Sequence, residues 1–146
     1  MRIWHYKLLP YLPDSQFKGQ LRELVAIMHD WRDKGQTNHL LINRVMLYPK
    51  KELARYFMLY YEEYQRRYNK NIKHNIFWEF FMFPETGDLS YGAIFEGWHD
   101  NGYLRVCMAN LMEKHFYGRG NSRITDEEWQ TLLAGYREIA GVDYQI

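Results

Sequence analysis

Arg22 and Glu23 place a base and an acid side by side in a segment with helical periodicity. Such a pair either serves a charged substrate or forms an incidental ion pair on a solvated face, the commoner case. At about 100 degrees per residue, the pair flanks a polar face that also carries Gly19 and Ala26. Gly costs about 1 kcal/mol relative to Ala inside a helix, so Gly19 calls for a reason. Close packing of the N-terminal segment on this face is the reason we expect.

Other reactive residue types are present without a recognisable catalytic spacing. The single Cys107 cannot form an internal disulfide, and no Gly-rich phosphate loop or nucleophile elbow occurs. The segment from Trp98 to Tyr103 could line a site, although capping of a helix by Asp100 or Asn101 explains it as well. The histidines lack metal-ligand spacing, so we expect no metal or cofactor; they are His5, His29, His39, His74, His99 and His115.

Basic residues mixed with aromatic residues occur in two places, at residues 66–74 and around Tyr117, Arg119 and Arg123. Surfaces that follow a phosphate backbone have this composition, but a solvated helix end or loop has it too. The net charge is only +1, yet residues 1–84 contain 14 Lys and Arg against 8 Asp and Glu. Residues 85–146 contain 5 against 10, so only the first part is suited to phosphates.

Helical patterns account for most of the chain. An apolar stripe predicts a first helix over residues 14–34, and Pro49 begins a second that ends near Arg67. Residues 76–83 are apolar on every side, so periodicity cannot separate a buried helix from a short strand, and we expect a helix. Residues 103–116 predict a further helix. Thr125 and Glu128 form a capping box for the last helix, which ends at Gly141. The stripe of the first helix comprises Phe17, Leu21, Leu24, Met28 and Trp31.

These patterns predict an all-α, compact single-domain bundle of about four main helices, with a long aromatic-rich middle segment. No linker or repeat divides residues 1–146. No apolar run approaches the roughly 18 residues of a membrane span, and no signal peptide begins the chain. We therefore expect a soluble protein of the cytoplasm.

Three parts of the chain resemble parts of a single known family. The N-terminal part comprises Arg2-Ile3, Leu12 to Asp14 and Leu21-Arg22-Glu23-Leu24. The central part, residues 39–68, is similar to a basic helix of that family, and residues 111–118 look like its closing aromatic and basic segment. The family that these parts resemble is that of the pyrimidine-dimer DNA glycosylases of the endonuclease V type. Residues 124–146 are left as a helical extension.

The resemblance implies a glycosylase with abasic-site lyase activity that needs no metal or cofactor. The N-terminal amine, here that of Met1, attacks the sugar C1′ to form an imine, and β-elimination then breaks the strand. Glu23 corresponds to the catalytic carboxylate, and Arg22 binds the phosphate beside the lesion. The mechanism therefore requires Glu23 to lie near the Met1 amine. The expected partner is damaged double-stranded DNA, with contacts from Arg2, Arg22, Arg44, Lys50, Lys51, Arg66, Arg67, Lys70, Tyr117 and Arg119.

The chain departs from the family pattern in two respects. Met1 should be retained, because Arg2 is too large for removal of the initiator, and one extra residue separates Ile3 from Arg22. Ala26 replaces a second arginine, which leaves the preferred lesion open. Two further hypotheses remain: a helical module that binds nucleic acid through residues 44–73 without catalysis, and a helical protein-interaction domain. Only the enzyme needs a free N-terminal amine.

Overall fold

The computed structural model describes residues 2–36, 43–81 and 92–146, and within these ranges it contains no β-strand. The prediction of an all-α protein is confirmed. The α-helices are α1 (Asp14–Lys34), α2 (Lys50–Tyr68), α3 (Asn75–Phe81), α4 (Asn101–Tyr117) and α5 (Asp126–Ala140). Short 3-10 helices are η1 (Tyr6–Tyr11), η2 (Arg44–Leu47) and η3 (Gly120–Ser122).

The helix boundaries follow the signals in the sequence closely. Pro49 is the N-cap of α2, and Thr125 and Glu128 form the capping box of α5, whose C-cap Gly141 has a left-handed φ of 75°. Asp100 caps α4 by accepting a hydrogen bond from the Tyr103 N–H at 2.8 Å, which makes α4 begin two residues before the predicted Tyr103. The helix favoured over residues 76–83 is present as α3, and residues 82 and 83 lie outside the described ranges.

The chain divides into two compact units, each built from two stretches of sequence. The first unit comprises Met1–Ile3 and Gln20–Glu96. In it α2 packs on α3, with the rings of Phe57 and Phe77 stacked at 3.9 Å between centroids. One face of α2 belongs to the core of this unit, because Leu53, Tyr56, Phe57 and Tyr60 are fully buried.

The second unit comprises Trp4–Gly19 and Gly97–Ile146. Here α5 packs on α4 and on η1, close to the N-terminus of the chain. Gly135 of α5 is required at this contact, because a Cβ atom there would lie only 2.4 Å from the Tyr11 ring. His5 and His99 are buried, and their rings are stacked with 5.2 Å between centroids.

The buried stripe of α1 differs from the predicted one in an informative way. Phe17, Leu24 and Met28 are fully buried as expected, but Leu21 and Trp31 are only partly buried. Gln20 takes the fully buried position that the apolar pattern assigned to Leu21. The buried face of α1 is therefore rotated towards Gln20. Because this side chain is polar and buried, its hydrogen bonds must be made inside the protein.

Candidate active site

The N-terminal segment packs directly on α1 within the first unit. The backbone N–H of Arg2 donates to Glu23 Oε2 at 3.2 Å, and the Arg2 carbonyl accepts from Gln20 Nε2 at 3.1 Å. Both polar groups of the Arg2 backbone are thus bound by side chains one helical turn apart. The N-terminal segment is thus hydrogen-bonded to α1 through Gln20 and Glu23, and Arg2 and Glu23 lie together.

Gln20 connects this contact to α2. Its amide nitrogen donates to Glu23 Oε2 at 2.9 Å as well as to Arg2, and its amide oxygen accepts from the Tyr56 hydroxyl at 3.0 Å. A fully buried amide would be costly without such partners. We refer to Arg2, Gln20, Glu23 and Tyr56 as the Glu23 network. The sequence did not identify Gln20 as a site residue, because only apolar positions were considered for the core. Tyr56 was not predicted to belong to a site either.

Burial controls the proton affinity of Glu23. The partly buried position raises the pKa of Glu23 above its ordinary value of 4.5, although hydrogen bonds from the Arg2 N–H and Gln20 and the charge of Arg22 act in the opposite direction. Both hydrogen-bond donors are uncharged groups, which stabilise a carboxylate less than a guanidinium does. Glu23 is therefore a carboxylate that takes up a proton more readily than an exposed one.

Arg22 is exposed, and its side chain makes no hydrogen bond or ion pair within the ranges that the structure describes. Adjacent residues on a helix point in different directions, so Arg22 does not neutralise Glu23 by direct contact. The ion pair considered for these neighbours is not formed. The guanidinium is open to an anion from solution.

Arg66 and Arg67 of α2 are held by a carboxylate that the sequence did not single out. Glu63 is only 7% exposed and accepts from Arg66 Nε at 2.8 Å and from Arg67 Nε at 2.7 Å. Burial by itself would raise the pKa of Glu63, but the hydrogen bonds from the two guanidinium groups outweigh it and lower the pKa. The Arg67 side chain is 13% exposed, whereas that of Arg66 is 65% exposed.

The remaining candidates for DNA contact are distributed over both units. In the first unit Arg44, Lys51 and Lys70 are exposed, and Lys50 is partly buried. In the second unit Tyr117 is 81% exposed at the end of α4 and is followed by the exposed Arg119. Met1, the candidate nucleophile, lies outside the described residues.

Two general features bear on the possible chemistry. Within residues 2–36, 43–81 and 92–146, no three His, Cys, Asp or Glu side chains are grouped so that they could hold a metal ion. None of the helices in these ranges has the length and apolar character needed to cross a membrane.

Comparison with known proteins covers the part of the chain that contains this network. Residues 1–76, slightly more than half of the chain, match the model of a family described as pyrimidine dimer DNA glycosylase. No curated protein and no solved structure shows significant similarity. The matched range includes Arg2, Gln20, Glu23 and Tyr56 but ends before residues 111–118, whose resemblance stays a prediction. At the family level this is a DNA repair glycosylase, and the chain belongs to the pyrimidine dimer DNA glycosylase family.

Proposed function

We propose that the protein excises a damaged base from double-stranded DNA and cleaves the resulting abasic site through an imine formed by the α-amine of Met1. The observation that supports this most directly is the hydrogen bond from the Arg2 N–H to Glu23 Oε2 at 3.2 Å. It holds a carboxylate with a raised pKa beside the residue that follows the nucleophile. Family membership supports the glycosylase part of the proposal.

Covalent geometry limits how far the amine can be from Glu23. One residue spans at most about 3.6 Å of chain, so the amine nitrogen of Met1 cannot lie farther than that from the Arg2 nitrogen. In any conformation of Met1, the amine is therefore within about 7 Å of Glu23 Oε2. A sugar C1′ atom that bonds to the amine would remain within reach of the carboxylate. The proposed approach is compatible with the extra residue between Ile3 and Arg22.

The proposed reaction begins when the unprotonated amine bonds to C1′ of the damaged nucleotide. The bond from C1′ to the base breaks, the base leaves with the electron pair, and it takes up the proton that the attacking nitrogen loses. The C1′–O4′ bond then breaks, O4′ takes up a proton from solvent, and the nitrogen lone pair forms the C=N bond of a protonated imine. An α-amine suits this step because its reference pKa of about 7.7 to 8.0 leaves an unprotonated fraction at neutral pH. Base excision thus needs an amine that is neither acetylated nor extended.

Strand cleavage follows from the same imine. The protonated imine makes the C2′–H bond acidic, and Glu23 removes that proton. The C–H electron pair forms the C2′=C3′ double bond, and the 3′ phosphate leaves with the electron pair of the broken C3′–O bond. Water then hydrolyses the imine and restores the amine. The carboxylate also stabilises the cationic sugar before elimination. The family match does not specify this lyase and endonuclease step, which rests on Glu23 and Met1.

The exposed guanidinium of Arg22 is suited to bind the phosphate beside the lesion, because guanidinium groups bind phosphate oxygens bidentately. Further contacts to the DNA backbone are proposed for the exposed cations of the first unit and for Tyr117 and Arg119 in the second. We expect the protein to act on DNA in the cytoplasm.

The central experiment is trapping of the imine by borohydride. Untagged protein, whose N-terminal mass has been measured, is incubated with duplex DNA that contains one abasic site or an ultraviolet lesion. We expect a covalent protein–DNA adduct whose peptide mass locates the bond at Met1. Glu23→Gln should accumulate much less cleaved strand, whereas Glu62→Gln should behave like the wild type because Glu62 is an exposed carboxylate of α2.

Blocking the amine provides the complementary control. Acetylation of the N-terminus, or a Gly-Ser extension before Met1, should abolish trapping while DNA binding persists. Absence of an adduct with either substrate, despite salt-sensitive binding, would contradict the proposal and favour the non-catalytic nucleic-acid module. Absence of DNA binding even at low salt would instead favour the helical protein-interaction domain.

A further inference from the structure

Gln20 contacts both halves of the proposed reaction centre. Its amide nitrogen binds the carbonyl of Arg2, the residue attached to the proposed nucleophile, and also binds the carboxylate of Glu23. We propose that Gln20, locked in place by the Tyr56 hydroxyl, is a positioning residue that fixes the distance between the N-terminal amine and Glu23. The inference rests on the proposed function for its effect on the rate, but its structural part can be tested without DNA.

The chemistry of the partners determines the orientation of the Gln20 amide. The Arg2 carbonyl can only accept a hydrogen bond, and an ionised Glu23 carboxylate can only accept as well. The amide must therefore turn its NH2 group towards both, at 3.1 Å and 2.9 Å. The opposite orientation would place three acceptor oxygens together. Only a side chain with two donors on one atom can bridge this pair of acceptors.

Tyr56 stabilises this orientation from α2. Its hydroxyl donates to Gln20 Oε1 at 3.0 Å, and both side chains are fully buried. Rotation of the amide by 180° would turn its NH2 group towards the hydroxyl and its oxygen towards Arg2 and Glu23. The hydroxyl therefore acts on the reaction centre through Gln20. Because Tyr56 belongs to the packed face of α2, the network is anchored to the core of the first unit.

The hydrogen bonds from Gln20 to Arg2 and Glu23 should influence both the distance between the N-terminal amine and Glu23 and the pKa of Glu23. A displacement of about 1 Å between reacting groups can lower a rate about 100-fold. The hydrogen bond from Gln20 also lowers the pKa of Glu23 and partly offsets the larger opposing effect of burial. Loss of the donor should therefore raise the pKa of Glu23 further. A purely structural glutamine would affect stability but would leave this pKa unchanged.

The test compares Gln20→Met with Gln16→Met, which removes another buried glutamine amide of the same helix. Gln16 Nε2 donates to the Ser122 carbonyl at 2.9 Å and has no hydrogen bond to Glu23 in the described structure. The first measurement is a titration of the Glu23 carboxyl carbon by NMR in each variant without DNA, with Glu23→Gln used to assign the signal. We expect the pKa of Glu23 to be higher in Gln20→Met than in the wild type and unchanged in Gln16→Met.

The second measurement is cleavage of duplex DNA with one abasic site. Gln20→Met should lower kcat by about 10- to 100-fold with little change in KM, and the acid limb of the pH profile should move to higher pH. Tyr56→Phe, which removes one oxygen, should produce a smaller change in the same direction. The double variant should be no worse than Gln20→Met alone, because the hydroxyl acts through the amide.

The outcomes separate this inference from the proposed function. If the pKa of Glu23 is unchanged in a folded Gln20→Met protein, the positioning role is wrong even when the wild type cleaves DNA. If the pKa rises as expected but the wild type forms no adduct, the network is correct and the proposed catalysis is wrong. Should Gln20→Met fail to fold, Tyr56→Phe decides the point, since an unchanged pKa of Glu23 in that variant would overturn the inference.

Discussion

Glu23 of α1 and Glu63 of α2 belong to the same unit, and each has arginine close by in the sequence, yet their environments differ. Glu63 accepts from two guanidinium groups and has a lowered pKa, whereas Glu23 accepts from a backbone N–H and an amide and has a raised pKa. Spacing explains the difference. Arg66 and Arg67 follow Glu63 by three and four residues and share its helix face, but Arg22 immediately precedes Glu23 and points elsewhere.

One pair of residue types can therefore serve two purposes. At Glu63 one carboxylate binds two guanidinium groups and contributes to the fold of α2. At Glu23 the adjacent position keeps Arg22 from pairing with the carboxylate. Under the proposed function, this separation leaves the carboxylate able to exchange a proton and the guanidinium of Arg22 able to bind phosphate.

The largest expected effect is on catalysis by Glu23. Glu23→Gln should lower the rate of single-turnover cleavage of abasic DNA by about 100- to 10,000-fold, the range typical of a lost general base. Glu63→Gln should leave the rate per folded molecule within about threefold of the wild type. Cleavage is measured with the folded fraction determined by circular dichroism. Equal losses in the two variants would contradict the division of roles.

The free energy of unfolding should fall more in Glu63→Gln than in Glu23→Gln, the reverse of the order expected for catalysis. Glu63→Gln removes the partner of Arg67, whose side chain is 13% exposed, and should lower the free energy of unfolding by about 3 kcal/mol. The effect should lie at the low end for a buried pair because the Arg66 side chain is 65% exposed and keeps its hydration. Urea unfolding measures the change, with Glu62→Gln as the surface control. A loss as small as that of the control would show that the ion pair between Glu63 and Arg67 contributes little to the free energy of unfolding.

Much of this architecture could be predicted from the sequence, because helix signals are local. The ends of α1, the capping box of α5 and the all-α class depended on residues a few positions apart. The packing of the N-terminal segment near Glu23 was also predicted, and it is present as the hydrogen bond from the Arg2 N–H to Glu23. Gln20 and Tyr56 were not, because their partners lie 18 and 36 residues away and become neighbours only in the folded chain. An apolar pattern cannot reveal a polar residue whose burial depends on such distant partners.

DNA binding provides a third comparison, between Arg22 and Arg66. Arg22→Ala should weaken binding of abasic duplex about tenfold and reduce the salt slope by about 1, because one phosphate contact is lost. Arg66→Ala should have a smaller effect, since its guanidinium already shares the charge of Glu63. Titrations by fluorescence anisotropy at several salt concentrations test this order. An Arg66 effect larger than that of Arg22 would indicate that DNA approaches α2 more closely than the polar face of α1.

The smallest effect is also the most specific one, because pH should change activity and stability in opposite directions at Glu23. The raised pKa means that ionised Glu23 destabilises the folded protein near neutral pH, and protonation between that pKa and the ordinary 4.5 relieves the cost. Activity that needs the carboxylate should decline as pH falls through the same range. Glu63 behaves differently, since its lowered pKa preserves its stabilising charge until the pH falls below 4.5.

A difference measurement isolates this behaviour from other titrating groups. Burial lowers the pKa of His5 to about 4, so the whole protein should lose stability as pH falls from about 6.5 towards 4. His5 is present in both the wild type and Glu23→Gln, and its contribution cancels when their free energies of unfolding are subtracted. Glu23→Gln should be more stable than the wild type at pH 7, and the advantage should shrink as the pH approaches 4.5. An advantage that stayed constant with pH would show that the pKa of Glu23 is not raised by folding.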